Sequence, residues 1–503
     1  MKNLLEIAGI VTKKKVKKIE IFDEYNLKNK NSKFNEFYEA LSGGKFKNDR
    51  DAAAALYGCS PKDARYRQLK SRFRRRLLNT LFFLDVNKPS ASNYDRAHFT
   101  CHKEWTLVKI LQDNNAHTSA AALARSILTT ALKFRFSEII VNCSRILRQY
   151  ATLEGNSKDF EMYDQYVKEY SHLLEGEIRS EELYQRVIMD YYHPSTDSND
   201  LKDLIDTYGN TLLSLSEIHD SPLIFFNTFL VWAMKYEMNR DYQALLEVCE
   251  QAESYIDSNP MYYQEERLID FFTKKMSAFL HMSDYTQGQV NAEKCLQRFP
   301  EGSEPWFGFM EYYLLLALHT SQYIQALAIY NQTVTQRQFA KLNSNQREKW
   351  SMYEVFILYL IQPMGMAGRL ATPARRRPLQ MEQYLNQNFN YPPDQRILTV
   401  LHLIAQVFFL LGKRDHARAD ERIDLLQNLA NRTLAKDEYH RPIQFIRLLL
   451  QLRKANYQPE ELRNTEKYLK RLQEAPFSYR GSLSQLEPVP YELMWQQLLR
   501  RLG

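Results

Sequence analysis

Three segments of this chain repeat one spacing of aromatic and small residues, and this repetition restricts the fold more than any other feature. The clearest segment contains Tyr285, Gly288, Ala292 and Cys295, and Pro300 follows it. An earlier segment and a later one repeat its opening: Tyr242, Leu245, Cys249, Ala252; Tyr323, Ala326, Tyr330. Steps of three and four residues lie on one face of a helix, and small residues there let a second helix approach closely. The pattern therefore predicts packed pairs of helices.

These intervals resemble the second helix of a tetratricopeptide repeat, in which an aromatic residue, two small residues and a closing Pro recur. A fainter version contains Phe136, Ile139, Cys143 and Ile146, and the resemblance covers patches of residues 118–460. It implies an all-α fold, a tetratricopeptide-like α-solenoid of helical hairpins. It also implies that the first helices of the repeats line a groove for a protein or peptide.

The length of 503 residues exceeds what one hydrophobic core usually serves, so several parts are expected. Hydrophobic residues make up 44% of the chain and strand-like alternation is nearly absent, which indicates a folded helical protein. We predict four parts: a basic N-terminal helical domain (1–88), a helical-repeat solenoid (89–362), a connection rich in Pro, Gly and Arg (363–380), and C-terminal helical repeats with a capping helix (381–503).

Targeting and redox signals favour a cytoplasmic protein. Glu6 interrupts the apolar run that a secretory signal needs, and the apolar stretch 398–411 is shorter than a bilayer-spanning helix. We therefore expect no transmembrane segment and interpret 398–411 as a buried helix. The five cysteines are widely spaced, which suits a reducing compartment.

Positive charge is concentrated at the N-terminus. Residues 1–88 contain 21 Lys and Arg against 10 Asp and Glu, whereas the rest of the chain is slightly acidic. Within residues 49–84 a cluster of basic residues accompanies apolar residues at helical spacing. The cluster consists of Lys62, Arg65, Arg67, Lys70, Arg72, Arg74, Arg75 and Arg76.

The residues before this helix predict another short helix and a tight turn. Asp49–Gly58 is rich in Ala, opens with an Asp cap and ends at Gly, and Ser60 with Pro61 is predicted to open the basic helix as N-cap and first residue. The order is similar to a helix-turn-helix, which implies a second helix presented to the major groove of DNA. Two other interpretations stay open: a basic face that contacts an acidic protein, and one that is merely solvated.

Candidate chemistry is sparse. His98, Cys101, His102 and His117 are the residue types that bind zinc, but no second pair at matching spacing accompanies them. The sequence also lacks the motifs of nucleotide-binding loops, serine hydrolases and metalloproteases. We therefore predict a protein that is not an enzyme and has no cofactor, metal site or catalytic residue.

Two sets of residues are candidates for binding. Trp306, Tyr312 and Tyr313 are candidate anchors in the peptide groove, although Trp306 fits the core between repeats equally well. Arg375, Arg376 and Arg377 lie in the Pro- and Gly-rich connection, either as a plain soluble loop or as a loop that contacts anions.

The sequence thus favours a non-catalytic scaffold or adaptor that binds a protein or peptide through a tetratricopeptide-like groove. The alternative is a DNA-binding transcription regulator, in which the helix-turn-helix-like unit contacts nucleic acid and the repeats act as a sensor. The two differ in whether the basic helix faces phosphate.

Overall fold

A computed structural model describes residues 4, 33–43, 45–46, 48–81, 92–192, 198–299, 301–372, 379–432, 434 and 439–503. Over these residues it contains 21 α-helices and a few short 3-10 turns, with no strand, so the prediction of an all-α fold is confirmed. The chain divides into two compact units, Met1–Ser171 and His172–Gly503. This division differs from the predicted boundary at residue 88, which lies outside the described residues.

Three helices in the described part of the first unit share one small core: α1 Lys33–Ser42, α2 Asp49–Tyr57 and α3 Ala64–Leu81. Phe37, Ala52, Tyr66 and Phe73 are all buried there, because each helix turns its apolar stripe inward. Gly58 ends α2 in the left-handed conformation, with φ of 60°, as the sequence predicts for a helix-terminating Gly.

A second core of the first unit lies among the next helices: α4 Asn93–Asp113, α5 His117–Phe134, α6 Ser137–Glu154 and the first part of α7 Ser157–Tyr192. The faint repeat at 136–146 belongs to α6, where Ile139 and Cys143 are buried. The division between the two units falls within α7.

The second unit contains the remaining helices. They are α8 Ser198–Ile218, α9 Pro222–Asn239, α10 Tyr242–Ser258, α11 Glu265–Met282, α12 Tyr285–Arg298, α13 Glu304–His319, α14 Tyr323–Val334, α15 Ser344–Ile361, α16 Met381–Asn386, α17 Arg396–Gly412, α18 His416–Arg432, α19 His440–Lys454, α20 Glu466–Glu474 and α21 Tyr491–Leu502. Consecutive helices pack as pairs, and the first helix α11 also packs against the first helices α9 and α13. One core joins α9 to α21, and a smaller core lies among the end of α7, α8 and α9.

Four pairs of the second unit share one short turn, which reverses the chain between their helices. Each turn contains one residue in the left-handed region, with φ between 57° and 60°: Arg240, Ser283, Ser321 or Arg414. The N–H of the next residue donates to a carbonyl five residues back, which satisfies the end of the first helix. In three turns that next residue is an Asp whose carboxylate caps the second helix: Asp241, Asp284 and Asp415.

The small residues of the repeated pattern lie where one helix crosses another. A Cβ at Gly288 of α12 would lie 2.2 Å from Leu316 Cδ2 in α13 and 3.4 Å from Phe279 Cβ in α11. The small residue is therefore needed because α12 lies against the first helix of its own pair and that of the next pair. Ala292 and Cys295 on the same helix are likewise buried.

The apolar stretch at 398–411 lies in α17, where 83% of the most apolar window of Pro393–Gly412 is buried inside the protein. Among the described residues, this is the one helix whose length and composition would suffice to cross a membrane. The prediction of a buried helix is confirmed. The C-terminal amphipathic helix packs its Trp495 and Leu498 against α17 and α19.

Candidate functional site

The basic cluster at 62–76 lies on and just before α3, with most of its side chains in solvent. Those exposed are Lys62, Arg65, Arg67, Arg72, Arg74 and Arg75. Lys70 instead forms an ion pair of 2.7 Å with Asp49, and the Arg76 guanidinium lies 4.9 Å from the centre of the Phe34 ring. The structure thus divides the predicted cluster into six exposed residues and two that support the three-helix core.

The predicted helix caps in this unit were wrong by a few residues. Asn48, rather than Asp49, caps α2, because its side chain accepts from the N–H groups of Arg50 and Asp51. Ser60 does not open α3: its hydroxyl accepts from the Lys62 N–H in a local turn, and the helix begins at Ala64. Asp63 accepts from the Arg65 N–H at this entrance.

The outer face of α3 carries positive charge without compensation. Helix α3 contains no acidic residue, and Arg67, Arg72, Arg74 and Arg75 form no ion pair with any residue that the structure describes. The carboxylates of Asp63 and Asp49 already bind other groups. Hydrogen bonds from Arg65 lower the pKa of Asp63. Burial opposes the ionisation of Asp49, but hydrogen bonds from Lys70 and Tyr66 outweigh burial and lower the pKa of Asp49 to about 2.

A second candidate surface lies in the second unit, where the first helices α9, α11, α13 and α15 face a stretch of the same chain that contains no α-helix. We call this surface the groove, and we call residues 475–487 the groove segment. The Phe477 ring lies between two imidazoles, 5.4 Å from His281 and 4.4 Å from His319. Tyr479 is completely buried.

Hydrogen bonds to the backbone hold the groove segment in place. Arg240 donates to the Pro476 carbonyl at 3.3 Å, and His319 Nε2 donates to the Glu487 carbonyl at 2.8 Å. The Tyr479 N–H donates to His281 Nε2 at 3.1 Å, while His281 Nδ1 donates to the Ser277 carbonyl. Both imidazoles are neutral in this arrangement, because burial lowers the pKa of His281 and lowers that of His319 to about 3.

A buried ion pair fixes the middle of the groove segment. Lys349 donates to both carboxylate oxygens of Glu311 at 2.7 Å, and the hydroxyls of Tyr353 and Tyr479 donate to the same carboxylate. The Lys349 ammonium also lies 3.2 Å from the Tyr479 hydroxyl. The carboxylate is thus compensated by one cation and two hydroxyls, which a buried charge requires.

Beside the groove segment lies a cavity of about 580 Å³, which we call the Tyr312 cavity. Apolar side chains of Ile188, Leu230 and Met234 line one part of it, and Lys274, Tyr312 and Arg480 line another. Of the three predicted groove anchors, Tyr312 alone lines this cavity. Trp306 is fully buried in the core, and Tyr313 is buried with its ring stacked 6.4 Å from that of Tyr285.

The floor of the Tyr312 cavity includes Lys274 and Ser277, which bind a second buried charge behind them. Glu237 is buried and accepts hydrogen bonds from Tyr191, Lys274 and Ser277. Burial opposes its ionisation, yet Lys274 outweighs burial and lowers the pKa of Glu237. Arg480 lies over the Tyr191 ring at 5.3 Å and forms no ion pair with any described residue.

The other predicted sites are placed as follows. Arg375, Arg376 and Arg377 lie outside the residues that the structure describes. His98 and His102 lie together on α4 with their Nε2 atoms 3.2 Å apart, while Cys101 is buried. The described part of the chain holds no group of three or more His, Cys, Asp or Glu residues arranged to bind a metal ion.

The groove segment escaped prediction from the sequence. One signal was available, because Pro476, Gly481, Pro488 and Pro490 exclude a helix while Phe477 and Tyr479 require burial. Comparison with protein-family models, with curated proteins and with solved structures gives no match.

Proposed function

We propose that this protein is a non-catalytic interaction protein that holds a segment of a protein partner in the Tyr312 cavity, beside the groove segment. One observation carries the proposal: the adjoining groove already holds an irregular segment of its own chain through backbone hydrogen bonds and aromatic ring contacts. Such contacts recognise extended peptide backbone largely independently of sequence.

The Tyr312 cavity supplies the room for a partner. Its volume of about 580 Å³ is in the range of pockets that bind small ligands or peptide side chains. Ile188, Leu230 and Met234 favour an aliphatic or aromatic side chain, and Arg480 favours a carboxylate beside it. The partner is therefore a segment with an apolar anchor residue next to Asp, Glu or a C-terminus.

The chemistry of the cavity supports binding rather than catalysis. Glu237 and Lys274 neutralise one another, and the Ser277 hydroxyl is committed to the same carboxylate. A catalytic base or nucleophile needs a group available to substrate, and these groups stabilise the floor instead.

The test is selection of peptides from a random library on the full chain, followed by affinity measurement with Thr273→Tyr. Thr273 lines the cavity, so a Tyr there fills it, whereas Thr286→Tyr adds the same ring at an exposed position of α12. We expect peptides with an apolar anchor and an acidic neighbour, bound at least about tenfold more weakly by Thr273→Tyr and normally by Thr286→Tyr. Equal affinity in all three proteins would exclude this site.

A second candidate function is binding to duplex DNA through α3. The observation in its favour is the uncompensated cationic face, on which Arg67, Arg72, Arg74 and Arg75 project from a three-helix unit. Arginines on one exposed helix face suit phosphate contacts and base edges in a major groove. This function would be compatible with a groove that binds protein.

Fluorescence anisotropy with random-sequence duplex DNA over a salt series tests this second function. The variant replaces Arg67, Arg72 and Arg75 by Glu, and the control makes the same change at three exposed cations near α20: Arg463, Lys467 and Lys470. The logarithm of the association constant falls linearly with the logarithm of the salt concentration, and the loss of three phosphate contacts would make this fall less steep by about 2.7. Binding that is absent at low salt, or lost equally in the control, would argue against it.

A further inference from the structure

Two histidines of the first unit lie one turn apart on α4 and are in contact through their Nε2 atoms. These atoms of His98 and His102 are 3.2 Å apart, and the centres of the two rings are 4.4 Å apart. Residues four apart lie on the same face of a helix, so α4 itself holds the two imidazoles together. One Nε2 carries a proton and donates it to the other, since two lone pairs at this distance would repel.

The separation of the two nitrogens matches that in a metal chelate. Zinc binds imidazole nitrogen at about 2.0–2.1 Å, so two Nε2 atoms at this separation can bind one ion with an N–Zn–N angle of about 100°, close to tetrahedral. Each ring must turn slightly, so that its lone pair points beside the other nitrogen. The ion then takes the place of the proton that the two rings share.

The surroundings of the pair keep it accessible and favour the neutral ring that binds a metal ion. His98 is exposed and His102 is half-buried. The rings of Tyr94 and Phe136 lie beside His98, with centres 6.4 Å and 5.0 Å away, and restrict its orientation. Partial burial and the neighbouring His102 lower the pKa of His98, so its imidazole is unprotonated at neutral pH.

The other donors near the pair make this an open site. Cys101 is buried, and burial raises the pKa of its thiol to about 11, so it supplies no thiolate. The negative charges of Asp95 and Glu138 act on His98, but among the described residues no third ligand joins the pair. Water therefore completes the coordination. The prediction of no metal site rested on the missing second pair of ligands, which excludes a closed structural site.

We propose that His98 and His102 bind a first-row transition-metal ion such as Zn²⁺, as an exchangeable two-histidine site on α4. Imidazole suits zinc, copper and nickel, whereas Mg²⁺ and Ca²⁺ prefer oxygen ligands. Cys101 and Val108 are the buried residues of this 21-residue helix, so an ion that bridges one turn would stabilise a helix with few core contacts. The site shares no residue with the Tyr312 cavity or with α3.

The experiment is isothermal titration of the full chain with Zn²⁺ in a buffer that does not chelate metals, and with Mg²⁺ for comparison. His98→Gln and His102→Gln each remove one ligand from the surface of α4, and His117→Gln removes an exposed imidazole outside the pair. We expect a zinc site whose affinity is at least about tenfold weaker in either test variant and unchanged in His117→Gln. Mg²⁺ should not bind there.

Footprinting with diethyl pyrocarbonate, which modifies accessible imidazoles, locates the ion by mass spectrometry of the digested protein. Saturating Zn²⁺ should protect His98 and His102 and leave His117 unprotected. Absence of zinc binding, equal affinity in native protein and both test variants, or modification of the pair that zinc does not reduce would overturn the proposal. Because the pair lies in the first unit, failure here leaves the peptide test of the Tyr312 cavity unaffected, and failure there leaves this site unaffected.

Discussion

Replacing Lys349 by Met should release the groove segment, because it leaves the Glu311 carboxylate without its cation. Both side chains are buried, with 11% and 10% of the Lys349 and Glu311 side chains exposed. Removing one partner of a buried ion pair costs about 3–5 kcal/mol, since the remaining charge stays desolvated. The hydroxyls of Tyr353 and Tyr479 still donate to Glu311, which places the expected loss toward the lower end of that range.

Hydrogen exchange of the groove segment measures this loss where it should occur. At a factor of ten for each 1.4 kcal/mol, a loss of about 3 kcal/mol accelerates exchange at residues 475–487 by about one hundredfold. Lys413→Met is the matched control, because Lys413 forms an exposed pair with Glu382 that should contribute little to stability. Adding Glu311→Gln to Lys349→Met should restore much of the protection. Exchange that rises less than about threefold in Lys349→Met would refute the assignment of this pair as the anchor.

Three further predictions concern packing, pH and thiols. Gly288→Ala should destabilise the second unit by up to about 2 kcal/mol in urea unfolding, because overpacking against Leu316 exceeds the gain in helix propensity. In the double variant with Leu316→Ala, the total loss of stability should differ from the sum of the two single losses. Burial lowers the pKa of His319 to about 3. Below pH 6.5 the unfolded chain therefore binds a proton that the folded chain does not. The free energy of unfolding should fall by up to about 1.4 kcal/mol for each pH unit below 6.5. His319→Gln should reduce that loss in thermal unfolding between about pH 7.5 and pH 5. Burial raises the pKa of Glu487, and its contribution of opposite sign is present in both proteins. Ellman's reagent should modify Cys59 alone in native protein and all five thiols in denaturant, because Cys101, Cys143, Cys249 and Cys295 are buried.

The second helices of three pairs could be predicted from the sequence, because their pattern is local. Tyr242, Tyr285 and Tyr323 are the first residues of α10, α12 and α14, as the repeated spacing indicates. Small residues follow at the crossings because two other helices must approach within contact distance there. For α10 and α12 the turn was also visible in principle, as an Asp directly before the opening residue.

The groove segment could not be predicted in the same way, because its contacts join residues that are far apart in sequence. Tyr479 meets His281, and Glu487 meets His319, across separations that no local pattern records. Trp306 is a different case: nearly every face of α13 is apolar, so periodicity alone does not distinguish its core side from its groove side.

Small errors in the caps have a local cause. Asn48 and Asp49 are both good capping residues, as are Ser60 and Asp63, and adjacent candidates compete for the same N–H groups. Ser60 loses that competition because its hydroxyl is engaged in a turn with Lys62. The buried side of α3 was predicted from apolar residues at helical spacing, but Lys70 and Arg76 of the basic cluster are not exposed with the others.

The most direct test of the proposed function is a hydrogen-exchange footprint of the full chain with a selected peptide bound. The account predicts new protection at 184–188, 230–234 and 273–277, the stretches of α7, α9 and α11 that line the Tyr312 cavity. Protection confined to 64–81, on the basic helix α3, would contradict it and would make that helix the interaction site.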